Sequence, residues 1–300
     1  MKNHIFLDLK SAVRATLAWF AYFDRPLKKE EIQKYLFRHQ ITGELNLLSD
    51  PALIQENEYF TLAEDKQIIQ KFQANKILRE KYFKRAHLAA RLLAHLPFVR
   101  LVTLINSLAM GDTEESSDID LFIITAPKRL YLVRTLAIIL LILIGLKKTR
   151  RKIQGKICLG FYLAEDNLDF AQKKMPCDEI YFSFWLATMA PLAGDFKVYE
   201  KFLTANKKLL QENLPNFIPA QIKLLQFFYW QKIGEYFLKG KFGDLTEKFL
   251  AKIHIKHTWK LPENHWSSST TMADEKILKL HAVDRTKKYR LEWEKKINNF

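Results

Sequence analysis

Apolar residues at the start of the chain recur with helical spacing. Leu9, Val13, Leu17 and Phe20 share one face, which predicts a helix over Leu7 to Phe23. Pro26 and the KKEE segment open a second helix, Leu27 to Phe37. A third short helix is expected near Glu44 to Gln55, and EYFTL at 58–62 reads as a strand. Asp65 to Leu96 reads as one long helix. The pattern then changes. An apolar run from Val102 reaches Asn106-Ser107, and a second run opens with Asp118-Ile119-Asp120. KICLGFYL, Lys156 to Leu163, predicts a further strand. Between these strands Leu136 to Leu146 is apolar on all sides, which predicts a buried crossover helix. Glu179 to Leu192 and Tyr199 to Leu210 predict helices, and Pro215 and Pro219 then punctuate the chain. The C-terminal region reads as helical, interrupted by Gly240, Gly243 and the polar loop Ser267 to Thr271, and Asp274 to Phe300 as a charged, partly exposed helix.

Candidate chemistry concentrates at Asp118 and Asp120. Alternate residues of a strand point to one face, so the two carboxylates project together while Ile119, Leu121 and Ile123 pack on the other side. Two carboxylates so placed repel unless a cation lies between them. Hard divalent cations such as Mg²⁺ or Mn²⁺ take oxygen ligands of this kind and share them with substrate phosphates. The pattern points to a metal- and nucleotide-dependent enzyme.

The stretch VTLINSLAMGDTEESSDIDLFIIT, residues 102–125, resembles the signature of the nucleotidyltransferase superfamily typified by DNA polymerase beta and the minimal nucleotidyltransferases. That signature is a strand, Gly-Ser opening a helix, a loop, and Asp-x-Asp on the next strand. The resemblance implies an α+β fold with a mixed sheet. It implies Asp118 and Asp120 as catalytic metal ligands for Mg²⁺ or Mn²⁺, and Asn106, Ser107 and Ser117 at the phosphates of an NTP. The reaction would move a nucleoside monophosphate to an acceptor, a nucleic acid, a protein or a small molecule.

Two departures stand out. Asn106 replaces the family's glycine, and its side chain could crowd a phosphate. The strand expected to carry a third carboxylate has no acid, so Glu165 or Asp166 just beyond it would have to serve. Asp169 reads as part of a solvated turn. These departures support an alternative, a catalytically degenerate protein of this fold that binds nucleotide or nucleic acid as a regulator.

The order of elements before residue 65 resembles a winged helix-turn-helix. Its pairing with a nucleotidyltransferase domain resembles, over most of the chain, bacterial proteins of unassigned substrate. The expected division is a winged-helix-like domain at 1–64, a basic connecting helix at 65–96, a catalytic core at 97–175 and a helical region at 176–300.

Charge modifies that picture. The chain carries a formal net charge of +15, which favours polyanionic partners. Residues 1–64 nevertheless hold eight Lys/Arg against nine Asp/Glu. Glu44, Asp50, Glu56 and Glu58 in the segment expected to serve as the recognition element oppose duplex DNA, whose binding depends on cations that neutralise phosphates. Protein contact or an intramolecular role is the expectation for that module. The aromatic and basic residues of Gln226 to Phe242 read as helix packing, with base stacking the alternative.

Cys158 and Cys177 lack metal-type spacing, and a reduced thiol in a cytoplasmic protein is the expectation. His254 and His257 lie one helical turn apart, but without a third ligand they read as surface histidines. MKNHIFLDLK lacks the apolar core of a signal peptide. A membrane span needs about twenty apolar residues. The run at Leu136 to Leu146 is shorter and meets Arg134 and Arg129, so stable membrane insertion is not expected. The sequence leaves the oligomeric state open.

Overall fold

A computed structural model describes residues 7–47, 50–170, 178–222, 224, 228–265, 269–280 and 285–298. The chain opens with α1 (Leu9–Ala21), capped by the Asp8 carboxylate, which accepts from the Ser11 amide at 3.0 Å. Next come α2 (Lys29–Tyr35) and the antiparallel hairpin β1 (Leu53–Glu56) and β2 (Tyr59–Leu62). Leu27, between the helices, pairs with Phe60 through both backbone groups at 3.0 and 2.7 Å.

The helix expected over Glu44 to Gln55 is not found among the described residues. Asn57 adopts a φ of 55°, a conformation Asn tolerates better than most residues. The tight turn it makes draws Leu53 to Glu56 into the β2 ladder. Asp50 is held by Arg14 through two bonds of 2.8 and 2.6 Å.

The expected long helix over 65–96 is divided. α3 (Gln67–Ala74) and α4 (Lys76–Leu93) meet at Asn75, which leaves helical geometry at φ −82°, ψ 6°. Its side-chain carboxamide donates to the Thr113 carbonyl at 3.2 Å, tying the junction to the loop after α5.

Then follow β3 (Val99–Leu104), α5 (Asn106–Met110), β4 (Ile119–Thr125), α6 (Leu130–Leu143) and β5 (Ile157–Ala164). Beyond them lie α7 (Glu179–Thr188), β6 (Ala190–Gly194), α8 (Phe196–Ala205), α9 (Lys207–Asn213), α10 (Phe228–Leu238) and α11 (Lys241–Trp259). The chain ends with β7 (Met272–Ala273), β8 (Ile277–Lys279) and α12 (Thr286–Ile297).

A six-stranded sheet runs in the order β6-β3-β4-β5-β8-β7, with β4 and β5 parallel and the other neighbours antiparallel. The class is mixed α+β. The region after 176 is not purely helical, because it supplies β6, β7 and β8. The helix expected over Glu179 to Leu192 stops at Thr188, and the Ala-Pro-Leu-Ala-Gly segment forms an edge strand. Pro191 has no N–H to give a second neighbour, and an edge strand needs none. The helix expected over Tyr199 to Leu210 breaks at Asn206, whose side chain accepts from the Phe170 amide at 3.1 Å and donates to the Leu168 carbonyl at 2.9 Å.

Strand alternation sorts the sheet's side chains into two cores. Val102, Leu121, Ile123 and Tyr162 pack with α4, α6 and α11. Leu101, Phe122, Ile124 and Phe161 pack with α1, α7, α8 and α12. The N-terminal helices share this second core. Trp19 stacks on Phe184 with ring centroids 4.6 Å apart, and the Trp293 indole donates to the Ala15 carbonyl at 2.8 Å.

α6 links the parallel strands as expected, but it is not buried on every side. Leu130, Tyr131, Val133, Ala137 and Leu141 are buried, whereas Ile139, Ile142 and Leu143 are exposed. Its first turn is held by the buried Glu247 carboxylate, which accepts from the amides of Tyr131 and Leu132 at 2.9 and 2.7 Å. No helix among the described residues is long and apolar enough to cross a membrane.

Candidate functional site

β3 delivers the chain to Ile105, whose amide donates to the Asp120 carbonyl at 3.1 Å. Asn106 then takes a φ of 61° and starts α5. The helix closes at Gly111, where φ is 98° and an added Cβ would lie 2.6 Å from Arg25 Cδ. Glycine answers both demands. Arg25 donates to the carbonyls of Ala109 and Met110 at 3.4 and 3.2 Å, tying the N-terminal helices to this turn. The returning loop is pinned by Tyr82, whose hydroxyl donates to the Glu115 carbonyl at 2.8 Å, and by the Gly155 amide on the Ser117 carbonyl at 2.8 Å.

Asp120 lies on β4 and Asp118 immediately precedes the strand. Ile119, Leu121 and Ile123 pack into the core on the α6 side, as alternation predicts. Asp118 receives the Lys148 ammonium. The Asn106 carboxamide donates to Asp120 Oδ2 at 2.9 Å and accepts from Trp185 Nε1 at 3.0 Å. Asn106 therefore turns its side chain toward a carboxylate and an indole.

Parallel pairing sets Cys158 beside Asp120. One ligand atom each from Asp118, Asp120 and Cys158 lies within 4.8 Å of the other two. Burial, reinforced by Asp120, pushes the Cys158 thiol well above its ordinary range. Burial opposes the charge on Lys148, but Cys158, Asp118 and Asp120 outweigh it and leave the ammonium's pKa raised.

Glu165 and Asp166 are not brought to this cluster. They follow the far end of β5, Glu165 seven and Asp166 eight positions beyond Cys158, about 23 Å or more at strand spacing. Glu165 pairs there with Lys201 at 3.0 Å, and Asp166 with Lys276 at 2.8 Å. Ser107 lies in the first turn of α5, next to Asn106. Ser117 adjoins Asp118, and its hydroxyl accepts from the Glu114 amide at 3.4 Å. His254 pairs with Thr135 at 3.0 Å and stacks on Tyr131, and burial pushes its pKa down to about 4. Cys177 lies outside the described residues.

Three residues of the cluster escaped the sequence reading. Lys148 comes from a basic run with nothing to set it apart from its neighbours. Trp185 comes from a helix 79 positions away from Asn106. Cys158 carried one signal, its place near the start of the strand expected to neighbour the Asp-x-Asp strand.

Asp118, Asp120 and Cys158 could each offer one ligand atom to a metal ion, and the Lys148 ammonium on Asp118 would have to give way to it. Carboxylate oxygens are ligands of the kind that hard cations take. The sulfur matches Mn²⁺ or a softer ion better than Mg²⁺, and would have to give up its proton to bind. No family model, curated protein or solved structure matches the chain.

Proposed function

We propose that the protein is a metal-dependent nucleotidyltransferase of the polymerase-beta-like class. Asp118 and Asp120 would hold Mg²⁺ or Mn²⁺ at the phosphates of an NTP. The observation that carries this reading is the pair of adjacent carboxylates at the entry of β4, beside the turn at Asn106 and Ser107. The order β3-α5-β4-α6-β5 and its mixed pairing agree with the fold this class uses. The hairpin β1-β2, its bridge to Leu27 and the two preceding helices support a winged-helix-like module with no third helix among its described residues.

A bound divalent ion would neutralise charge on the phosphates. This chain's residues would orient the nucleotide. Ser107 and Ser117 adjoin Asn106 and Asp118 in the chain and would offer their hydroxyls to the phosphates. Lys148 would exchange its contact with Asp118 for one with a phosphate oxygen. An acceptor hydroxyl would bond to the α-phosphorus as the bond to pyrophosphate breaks. The acceptor's proton would pass to solvent water, because both carboxylates of the pair would be holding the ion and Glu165 and Asp166 are paired elsewhere.

A second reading rests on the same cluster. Cys158 occupies the place beside Asp120, and Asn106 and Lys148 already engage both carboxylates. This arrangement suits a nucleotide-binding regulator without turnover.

The test is equilibrium binding of each NTP, with and without Mg²⁺ or Mn²⁺, together with pyrophosphate release in the presence of cell extract. Metal-dependent binding lost in Asp118→Asn and Asp120→Asn, with pyrophosphate released, supports the transferase. Binding without release supports the regulator. NTP affinity indifferent to metal and to both substitutions overturns both readings.

A further inference from the structure

The helical hairpin formed by α10 and α11 presents an apolar ridge to solvent. On α11, Phe242, Leu245, Phe249 and Ile253 recur at helical spacing, opposite the inward-facing Gly243, Glu247 and Ala251. Phe242, Leu245 and Phe249 are 67%, 69% and 63% exposed. Trp230 and Phe237 continue the apolar surface on α10.

α6 extends it in the other direction. Glu247 holds the amides of Tyr131 and Leu132, and His254 meets Thr135, so the two helices run alongside each other. One and two further turns carry the exposed Ile139 and Ile142 toward the Trp259 end of α11. Single exposed apolar residues need no explanation, but their recurrence along one face of α11 points to an interaction surface.

The charges around the ridge are almost all of one sign. Lys241, Lys248, Lys252 and Lys256 are exposed on α11. The acids of the hairpin are turned to other duties. Glu235 pairs with Arg100 at 2.6 Å, Asp244 pairs with Arg129 at 2.7 Å, and Glu247 caps α6. The loop after α6 adds Arg150, Arg151 and Lys152, all exposed. A nucleic-acid groove would pair cations with recessed stacking faces, whereas here the aromatics project from the crest. An apolar crest of Phe, Leu, Ile and Trp bordered by lysines complements the interface of an anionic bilayer.

We infer that the α10–α11 hairpin, with the C-terminal turn of α6, is a peripheral attachment surface for anionic lipid membranes. Phe242, Phe249 and their neighbours enter the headgroup and acyl boundary, and the lysines lie among the lipid phosphates. The proposal stands apart from the carboxylate chemistry. Attachment would still bear on it, because the loop that leaves α6 carries Lys148, the cation on Asp118.

The test is flotation of the full chain with phosphatidylcholine vesicles containing none or about one-third phosphatidylglycerol. Binding is expected only to the anionic vesicles and should weaken as salt is raised. Phe242→Ser with Phe249→Ser should lower the partition coefficient by about tenfold or more, and Lys248→Gln with Lys252→Gln by about tenfold at low salt. These positions are exposed, so circular dichroism should match wild type. Failure to bind anionic vesicles overturns the proposal, and so does binding unchanged by the paired Phe substitutions. A dimer that Phe249→Ser dissociates, without vesicle binding, would also overturn it and assign the ridge to a second copy. Single-stranded RNA displaced by the Phe pair, without vesicle binding, would assign it to nucleic acid.

Discussion

Asn106 joins the backbone turn, the carboxylate pair and the helix that covers them, so Asn106→Gly tests the site's construction. The substitution relieves the positive φ, a gain of about 1 kcal/mol. It also strips Trp185 Nε1 of its acceptor. Trp185 is only 3% exposed, so its N–H is left unsatisfied at a cost of about 1–3 kcal/mol. Asp120 loses a donor as well, worth about 1 kcal/mol because water can partly replace it. The balance is a net loss of about 1–3 kcal/mol, or roughly 2–5 °C in Tm for a chain of this size.

Trp185→Phe removes the indole donor, and in that background Asn106→Gly should cost about 1–2 kcal/mol less. Urea denaturation followed by far-UV circular dichroism of the four proteins gives the coupling directly. If the carboxamide orients Asp120, Asn106→Gly should also weaken Mn²⁺-dependent NTP binding. Equal cost in both backgrounds, or Asn106→Gly as stable as wild type, would refute the reasoning.

Other expectations follow from buried charge. Burial, then Asp24 and Glu114, push the pKa of Asp112 up from 3.8 to about 6. The folded state therefore holds a proton that the unfolded state has lost between those values, and stability falls as pH rises through that window. The gap corresponds to ~3 kcal/mol at most, and solvent screening reduces it to about 1–2 kcal/mol. Asp112→Asn should recover that amount at neutral pH and almost nothing below pH ~4, which denaturation at the two pH values checks. An equal gain at both would count against it. Glu247→Ala orphans the buried amides of Tyr131 and Leu132. It should destabilise the fold by about 2–4 kcal/mol, Glu247→Gln by less, and a loss below ~0.5 kcal/mol in urea titration would contradict the assigned capping role.

The sequence by itself determined the elements whose pattern repeats over a few residues. Leu9, Val13 and Phe20 mark α1, the apolar runs around 102 and 121 mark β3 and β4, and the Asp118-Ile119-Asp120 alternation sets the carboxylates opposite a hydrophobic face. Such patterns are local, because strand and helix periods orient side chains before any partner is present. Tertiary structure decided what those residues meet. The parallel register of β4 and β5 put Cys158 beside Asp120 and carried Glu165 and Asp166 to the opposite end of the strand. Chain segments 30 and 79 positions apart brought Lys148 to Asp118 and Trp185 to Asn106. A turn at Asn57 paired Leu53 to Glu56, where the expected third helix ended, with the strand expected at 58–62. Pairing with β3 made an edge strand of Ala190 to Gly194, where the helix expected from Glu179 ran on to Leu192. α6 reads as uniformly apolar, yet only the packing of α11 against it shows which side is covered and which three residues face solvent. Spacing along the chain reports the period of an element, whereas neighbours across the sheet are set by pairings that no local window contains.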